Sequence, residues 1–365
     1  MAWLVVLLLP ILAVVQAIAA SVASTTQMSL QQAILSRYGR GAAAVAAISI
    51  VFISLLTLGA DVQAGSEALT LLTGVPFYYF IVPLVLLVGW MLVAKSYLKI
   101  ERFLAWLTLI FLCYVASAIY AQPDWGAVLR AIALPHVAAT KLMLGAALAL
   151  LGTTLTGYVY FWESIEVAER GTLETDVRSA QSDAAIGMLV AGSSFIFILV
   201  ATAATLGKHP AAIETAAQAA AALRPLAGPW DQALFAIGLL ASAAIAIPVI
   251  AATNGYVIAQ TFGANAGLTS TPHQAPLFYK TIFASLGLGA CLAMLPLPTI
   301  ALLYWVSVAA GLTTPITLAL TMLVARNPRT MRGRPIGGLL AGAGWAVTGV
   351  VAMASVGFVV SLFIG

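Results

Sequence analysis

The chain contains little charge, little cysteine and little histidine, and each shortage removes a class of protein. Charged residues make up 8% of the 365 residues, whereas soluble domains carry roughly a quarter, so the chain cannot cover a globular surface with polar groups. Two cysteines and three histidines are too few for a disulfide framework or for a metal centre built on thiolates or imidazoles. The net charge of +4 comes from scattered residues, which argues against nucleic acid as a partner.

Motifs of soluble enzymes are also absent from the sequence. It contains no Gly-rich phosphate loop, no HExxH motif and no plausible Ser/His/Asp set. We therefore do not expect an enzyme. Without an ATP site, any transport by this chain is expected to use ion gradients rather than hydrolysis.

What the sequence does contain is a series of long apolar segments. Hydrophobic residues make up 62% of the chain, and a helix needs about 20 apolar residues to cross a bilayer. The candidate spans cover residues 3–26, 43–73, 76–94, 103–121, 141–165, 184–206, 231–262, 277–297, 299–325 and 336–364. These spans predict an all-α integral membrane protein with about ten transmembrane helices in a single domain, residues 1–365.

The first apolar segment has a competing interpretation as a signal peptide. Val5–Val15 could be the apolar core of such a peptide, and Ala17–Ala19 a small-residue cleavage site. The segment lacks the basic start of a signal peptide, however, and its apolar run continues past the cleavage site. We favour a retained membrane helix.

The basic residues predict which side of the membrane each loop occupies. Of the 16 lysines and arginines, twelve fall on the side that the chain reaches after its first helix and four on the other. Cytoplasmic loops carry the excess of basic residues, so the first side is predicted to be the cytoplasm. The chain then starts outside, and the simplest explanation is a further helix upstream of Met1.

Asp61 is the clearest ionisable residue within a predicted span, and such groups tend to mark pathways. The alternative is a carboxylate that is merely hydrogen-bonded within the bundle. Glu67 follows toward the predicted outer end, where we expect it to lie near the membrane surface.

A second polar feature, Gly152–Gly157, lies midway along the fifth span and contains two glycines and three threonines. Broken backbone is tolerated at this depth only where it lines a cavity or is buried in protein, and in transporters it supplies carbonyl oxygens to the substrate. The alternative is a close contact between helices, which small residues also favour. The segment Trp305–Pro315 repeats these small and hydroxyl residues in the ninth span.

An aromatic stretch that ends in acidic residues follows the break. It starts at Tyr158 and contains Glu163, roughly a turn and a half further along the helix. Glu163 is predicted either to guard a cytoplasmic exit or to form a solvated helix end.

These features resemble the Nramp family of divalent-metal transporters, in particular a divergent bacterial branch. The resemblance runs over essentially the whole chain, and its best segments include LLTLGADVQAGSEALTLLTGVP, LLGTTLTGYVYFWESIEVAE and GLTTPITLALTMLVARNPRTMRG. It implies a LeuT-type fold of inverted repeats that comprises family helices 2 to 11. The family's first helix carries a metal-binding Asp-Pro-Gly-Asn motif, which nothing upstream of Met1 supplies here.

The resemblance also assigns site residues by position. Thr153 falls at the family's carbonyl donor, and Asp61 resembles the third-helix acid implicated in proton passage, although the acid one turn later is replaced by Ala64. The remaining family positions are occupied as follows: methionine by Thr156, proline by Gly157, the two histidines by Tyr158 and Glu163, and the tenth-helix glutamine by Ser307.

These replacements favour a hard ion. A thioether favours transition metals, whereas hydroxyls and carbonyls suit Mg²⁺, Ca²⁺ or Mn²⁺, so Thr153 and Thr156 are the predicted metal ligands. The resemblance implies a multi-pass transporter in the cytoplasmic membrane that works as a monomer, with the cation as substrate and no cofactor. Protons are a second expected partner, through Asp61 and Glu163. The alternatives are a transporter of a small organic solute and an inactive remnant.

Overall fold

The computed structural model describes residues 2–94, 112–134, 140–170, 192–193, 195–204, 215–223 and 228–364. Within these ranges the chain is helical and contains no strand, which confirms the predicted all-α class. The α-helices are α1 (Ala2–Thr26), α2 (Leu30–Thr73), α3 (Tyr78–Val93), α4 (Leu112–Tyr120), α5 (Trp125–Ala133), α6 (Lys141–Thr154), α7 (Gly157–Arg170), α8 (Phe195–Ala204), α9 (Ala216–Ala220), α10 (Asp231–Thr261), α11 (Pro276–Ala293), α12 (Thr299–Ala325) and α13 (Gly338–Ile364). Two 3₁₀ turns cover Ala221–Leu223 and Gly228–Trp230.

Seven of the ten predicted spans correspond to segments that are long and apolar enough to cross a membrane, counted over the described ranges. The predicted span at 76–94 corresponds to α3, which is shorter, with 16 residues. The predicted spans at 103–121 and 184–206 lie partly outside the described residues, which show α4 and α8 there.

Helix α2 begins at Leu30, well before the predicted start at residue 43. The reason is a capping box: the Ser29 side chain accepts the Gln32 N–H, and the Gln32 side chain accepts the Ser29 N–H. Gly39, with φ 76° and ψ −174°, then interrupts the helix between the exposed Arg37 and Arg40. A polar helical segment therefore precedes the apolar crossing.

Two pairs of predicted spans, 43–73 with 76–94 and 277–297 with 299–325, lie close together in the sequence, and short connections join the corresponding helices. Helix α2 ends at Thr73 and is capped by Gly74, whose φ of 75° is readily adopted by glycine and whose N–H donates to the Thr70 carbonyl. Helix α11 ends at Ala293, and α12 starts after Pro298.

Helix α2 lies at the centre of the described bundle and packs mainly against α10, α11 and α12. Its close approach to α10 depends on small residues, since a Cβ on Gly65 would lie 2.9 Å from the Ala243 Cβ. Small residues allow membrane helices to pack backbone against backbone. At the other end of the pair, Gln31 Nε2 donates to Thr261 Oγ1 at 2.7 Å, so α2 and α10 run antiparallel.

Candidate functional site

The predicted discontinuity in the fifth span is present as a break between two helices. Helix α6 ends at Thr154 and α7 begins at Gly157, which leaves Leu155 and Thr156 outside both helices. Leu155 has φ −107° and ψ 23°, which lie outside the helical range. We call Leu155 and Thr156, with the helix ends that flank them, the helix break.

Hydroxyl groups bond the carbonyls around the helix break. Thr156 Oγ1 donates to the Gly152 carbonyl at 2.6 Å. Thr314 Oγ1 on α12 shares its hydrogen between the Leu155 carbonyl at 3.2 Å and the Ala310 carbonyl of its own helix at 2.8 Å. Both threonines are buried, with exposed fractions of 4% and 1%. Since an unbonded carbonyl in an apolar interior is costly, these two hydroxyls allow the backbone to leave the helical path here.

The helix break also lies beside a close contact between helices, which is the alternative interpretation of Gly152–Gly157. A Cβ on Gly152 would lie 1.9 Å from the Ser307 carbonyl oxygen and 2.4 Å from the Gly311 nitrogen. These are backbone atoms of α12 and cannot move aside as a flexible side chain can. Glycine at residue 152 is therefore required for α6 and α12 to cross at this distance.

Thr153 and Ser307 line the same cavity, which has a volume of about 370 Å³. Thr153 is exposed and Ser307 half-buried, and the Ser307 hydroxyl donates to the Leu303 carbonyl at 2.7 Å. Most of the other lining side chains are apolar. The structure thus brings together two predicted path residues that are far apart in the sequence.

Tyr158 and Asp61 form a second pair of predicted site residues. Both are half-buried, and the phenol interacts electrostatically with the carboxylate. Tyr158 also packs against both of the large hydrophobic clusters of the bundle. The acid of α2 therefore lies near the first turn of α7, directly after the helix break.

The other two predicted residues lie along α7. Gly157, its first residue, fits between α2 and α12, where an added Cβ would lie 3.2 Å from Ile50 Cγ1 and 3.6 Å from Thr317 Oγ1. Glu163 is half-buried and interacts with Arg170, two turns further along. Glu163 does not line the cavity that contains Thr153 and Ser307, so it lies apart from those two residues.

Two polar contacts were not predicted from the sequence. Tyr160 and Thr317 are 2.5 Å apart between their oxygens, both buried, and tie α7 to α12. Thr299 Oγ1 donates to Glu67 Oε1 at 2.5 Å, so Glu67 bonds to α12 and is more than a surface residue. The spacing of Thr314, Thr317 and Thr321 was a visible signal, since residues three and four apart share a helix face.

The donor set around the helix break consists of neutral oxygen atoms. Across the described ranges, no group of three or more histidine, cysteine, aspartate or glutamate side chains is placed to hold a metal ion. A cation at the helix break would therefore be bound by hydroxyl and carbonyl oxygens. Such ligands suit hard cations.

Known proteins resemble this chain in sequence. The divalent metal cation transporter MntH of Xylella fastidiosa (strain 9a5c) is 31% identical over 280 residues, which cover 71% of this chain and 57% of the relative. MntH of strain Temecula1 / ATCC 700964 is 30% identical over 276 residues, with the same coverage. The chain thus spans little more than half the length of these curated relatives.

Solved structures match the fold. The manganese transporter of Eremococcus coleocola, crystallised in complex with an aromatic bis-isothiourea substituted compound, superposes with a TM-score of 0.75 at 18% identity, covering 100% of this chain and 81% of that one. A mutant of the same transporter gives a TM-score of 0.72, with coverages of 97% and 78%. These neighbours confirm the predicted LeuT-type helical architecture.

The sequence profile of one family extends over nearly the whole chain. It is described as natural resistance-associated macrophage protein-like and matches residues 1–361. In the described part of the chain, seven helical segments are long and apolar enough to cross a membrane. The chain is a multi-pass membrane protein and belongs to the Nramp family.

Proposed function

We propose that the chain forms a secondary transporter of divalent cations in the cytoplasmic membrane and not an enzyme. The observation that carries this proposal is the helix break, where α6 and α7 separate inside the bundle and leave Leu155 and Thr156 outside both helices. Discontinuous helices supply carbonyls and helix ends to a substrate at this depth. The names of the curated relatives agree with such a substrate.

The cation is proposed to bind as substrate to the Thr153 carbonyl and the Thr156 hydroxyl. Thr156 donates its hydrogen to the Gly152 carbonyl, and a hydroxyl oxygen that donates its hydrogen keeps two lone pairs that can accept a ligand. Gly157, Tyr158 and Ser307 are proposed to line the path. These hard, neutral donors favour Mg²⁺ or Mn²⁺ with part of its water shell retained.

Asp61 is the proposed proton carrier, and Glu163 the proposed gate toward the cytoplasm. The support for Asp61 is its half-buried position in α2 and its electrostatic interaction with Tyr158 beside the helix break. The support for Glu163 is its place further along α7, where it interacts with Arg170. We propose that residues 1–365 form a single transmembrane domain that works as a monomer.

The test is uptake of Mn²⁺ and Mg²⁺ into proteoliposomes by the purified protein and by Thr156→Ala. We expect the variant to take up either ion with a KM raised about tenfold or more, the equivalent of one lost ligand. Thr156→Ser, which keeps the hydroxyl, should restore most of the uptake. Thr154→Ala is the matched control, because that hydroxyl donates to Leu150 and Leu151 carbonyls within α6.

The outcome of this experiment also tests the site assignment. Uptake that is unchanged in Thr156→Ala, together with unchanged proton dependence in Asp61→Asn, would show that neither residue belongs to the path. Equal losses in Thr154→Ala and Thr156→Ala would indicate damage to the helices rather than removal of a ligand.

A second candidate, a transporter of a small organic solute, is favoured by the cavity of about 370 Å³ beside the helix break. Leu150, Phe195 and Leu303 are among its lining residues, and such apolar walls suit an organic molecule better than an ion. Calorimetry with Mn²⁺ and Mg²⁺ separates the two candidates, because an organic-solute site should bind neither ion.

A further inference from the structure

A second cavity, with a volume of about 340 Å³, opens at the end of the bundle that the basic residues assign to the cytoplasm. It lies between the turn that joins α1 to α2, the last turns of α7, and the end of α10 with the loop that follows. The polar residues that line it are Gln27, Ser29, Gln32, Glu169, Tyr256, Gln260 and Asn265. We call it the cytoplasmic cavity.

Glu169 is the charged residue in the described lining of the cytoplasmic cavity. Its Oε1 accepts a hydrogen bond from the Tyr256 hydroxyl, which in turn accepts the Leu268 N–H at 3.0 Å. Tyr256 is 1% exposed, and its ring packs edge-on against Trp162 and Phe278. A buried and tightly packed phenol therefore fixes the position of the carboxylate.

The Tyr256 bond leaves the carboxylate able to bind a ligand. An ionised carboxylate has about four lone-pair sites on its two oxygens, and Tyr256 uses one of them. Glu169 is exposed, although the phenol that holds it is buried. The exposed Glu169 side chain therefore lines the cytoplasmic cavity.

Neutral oxygen atoms complete the opposite wall. Ser29 Oγ donates to Gln260 Oε1 at 2.6 Å, which joins the start of α2 to the last turn of α10. Gln260 is 9% exposed. Hydroxyl and amide oxygens of this kind contact a cation directly or through its water molecules.

Two arginines at the same end of the bundle bond other groups. Arg332 donates to the Thr26 carbonyl at 2.8 Å, and Arg170 pairs with Glu166 at 3.3 Å. Neither arginine is among the residues that line the cytoplasmic cavity. Among the described residues that line the cytoplasmic cavity, no lysine or arginine accompanies Glu169.

The size and donor set of the cytoplasmic cavity suit a hydrated ion. At about 30 Å³ per water molecule, it holds roughly ten. One carboxylate with neutral oxygens is the pattern that binds Mg²⁺ while the ion keeps several of its waters. Binding of this kind is weak and readily reversed.

Helix α7 connects the helix break to the cytoplasmic cavity. It begins at Gly157 and carries Glu169 next to its last residue, which places the two about 18 Å apart at 1.5 Å per residue. We propose that the cytoplasmic cavity is a second cation site, where Glu169 holds a hydrated divalent cation between the helix break and the cytoplasm. This proposal deepens the proposed function and rests on it.

The test is a titration of the purified protein with Mn²⁺, in which electron paramagnetic resonance measures the free ion. We expect a weak site in the wild type that Glu169→Gln weakens about tenfold or more. Tyr256→Phe should weaken the same site less, because it removes the bond that positions the carboxylate and keeps the packed ring. Thermal unfolding of each variant verifies that it is folded.

The matched control is Glu166→Gln, which removes the same charge from the same helix. Glu166 pairs with Arg170 and does not line the cytoplasmic cavity, so the weak site should be unchanged. Equal weakening by both variants, or none by Glu169→Gln, would overturn the second site. Thr156→Ala distinguishes this result from failure of the proposed function, because it should weaken binding at the helix break and leave the weak site intact.

Discussion

At the helix break, the Thr156 hydroxyl donates to the Gly152 carbonyl near the end of α6, and the Thr314 hydroxyl donates to the Leu155 carbonyl between α6 and α7. At the junction of α2, α10 and α11, two buried polar atoms, Ser54 Oγ and Asn254 Oδ1, have no hydrogen-bond partner among the described residues. Both regions place polar groups deep in an apolar bundle. They differ in whether those groups are bonded.

The register of the helices places Ser54 and Asn254 at the same junction. Gly65 on α2 faces Ala243 on α10. Ser54 precedes Gly65 along α2, and Asn254 follows Ala243 along α10 by the same number of residues. Since the two helices run antiparallel, Ser54 and Asn254 lie at the same level. Asn254 Nδ2 donates to Ser285 Oγ on α11 at 3.3 Å.

The comparison shows two uses of polarity inside a membrane bundle. Bonded groups at the helix break stabilise a backbone that could not otherwise leave the helix, and a cation there has to compete with bonds already made. Unbonded groups at the junction reduce stability, because burial removes their hydrogen bonds to water and no protein hydrogen bond replaces them. Removing a polar group should therefore lower the free energy of unfolding at the helix break, and should leave it unchanged or raise it at the junction.

The largest effect is expected from Gly152→Ala. The new Cβ would lie 1.9 Å from the Ser307 carbonyl oxygen, so α6 and α12 would have to separate and the helix break would lose its support. We expect the free energy of unfolding to fall by about 3 kcal/mol or more, measured as a lower midpoint of thermal unfolding in detergent.

The control for this prediction is Gly287→Ala in α11. No heavy atom lies within 4 Å of a Cβ at residue 287, and alanine is the better helix former by roughly 0.5–1 kcal/mol. This variant should match or exceed the wild type. Similar midpoints for the two variants would mean that α6 and α12 do not cross as closely as described.

The helix break itself was predictable from the sequence, because glycines and threonines concentrated in one span are a local signal. Its partners were not. Thr314 and Tyr160 reach their partners only through the crossing of α12 with α6 and α7, and a crossing depends on tertiary register rather than on local pattern. Asp61 was identified from its depth within a predicted span. Its proximity to Tyr158 was not predictable, because Tyr158 lies on a different helix.

The cytoplasmic cavity was also missed. Its wall comes from segments far apart in the sequence, such as Ser29, Glu169 and Gln260, and no segment of it shows a motif. Glu169 lies among charged residues, and from the sequence these are indistinguishable from a solvated helix end. Glu169 differs from the neighbouring Glu166 in its hydrogen bond to the buried Tyr256, which only the tertiary structure shows.

A smaller effect is expected from Thr314→Val, which keeps the shape of the side chain. Loss of the hydroxyl removes the hydrogen that the Leu155 carbonyl shares with the Ala310 carbonyl, and a buried acceptor left unbonded costs up to about 1–3 kcal/mol. The midpoint of thermal unfolding should fall accordingly. Thr321→Val is the matched control, because that buried hydroxyl donates only within α12, to the Thr317 carbonyl at 2.9 Å.

The two variants together test whether Thr314 bonds the carbonyl at the helix break. If Thr314→Val is no more destabilising than Thr321→Val, the carbonyl at the helix break is bonded by something other than Thr314. In that case the bonded and unbonded regions would not differ in the way described.

The smallest effect, and one of opposite sign, is expected from Ser54→Ala at the junction. Ser54 is fully buried and its hydroxyl has no partner among the described residues, so its removal should leave the free energy of unfolding unchanged or raise it by up to about 1 kcal/mol. Ser66→Ala is the control on the same helix, because Ser66 is equally buried and donates to the Val62 carbonyl at 2.8 Å. Ser54→Ala should therefore unfold at a higher temperature than Ser66→Ala, and the reverse order would mean that the Ser54 hydroxyl is bonded in the membrane, which would remove the contrast between the two regions.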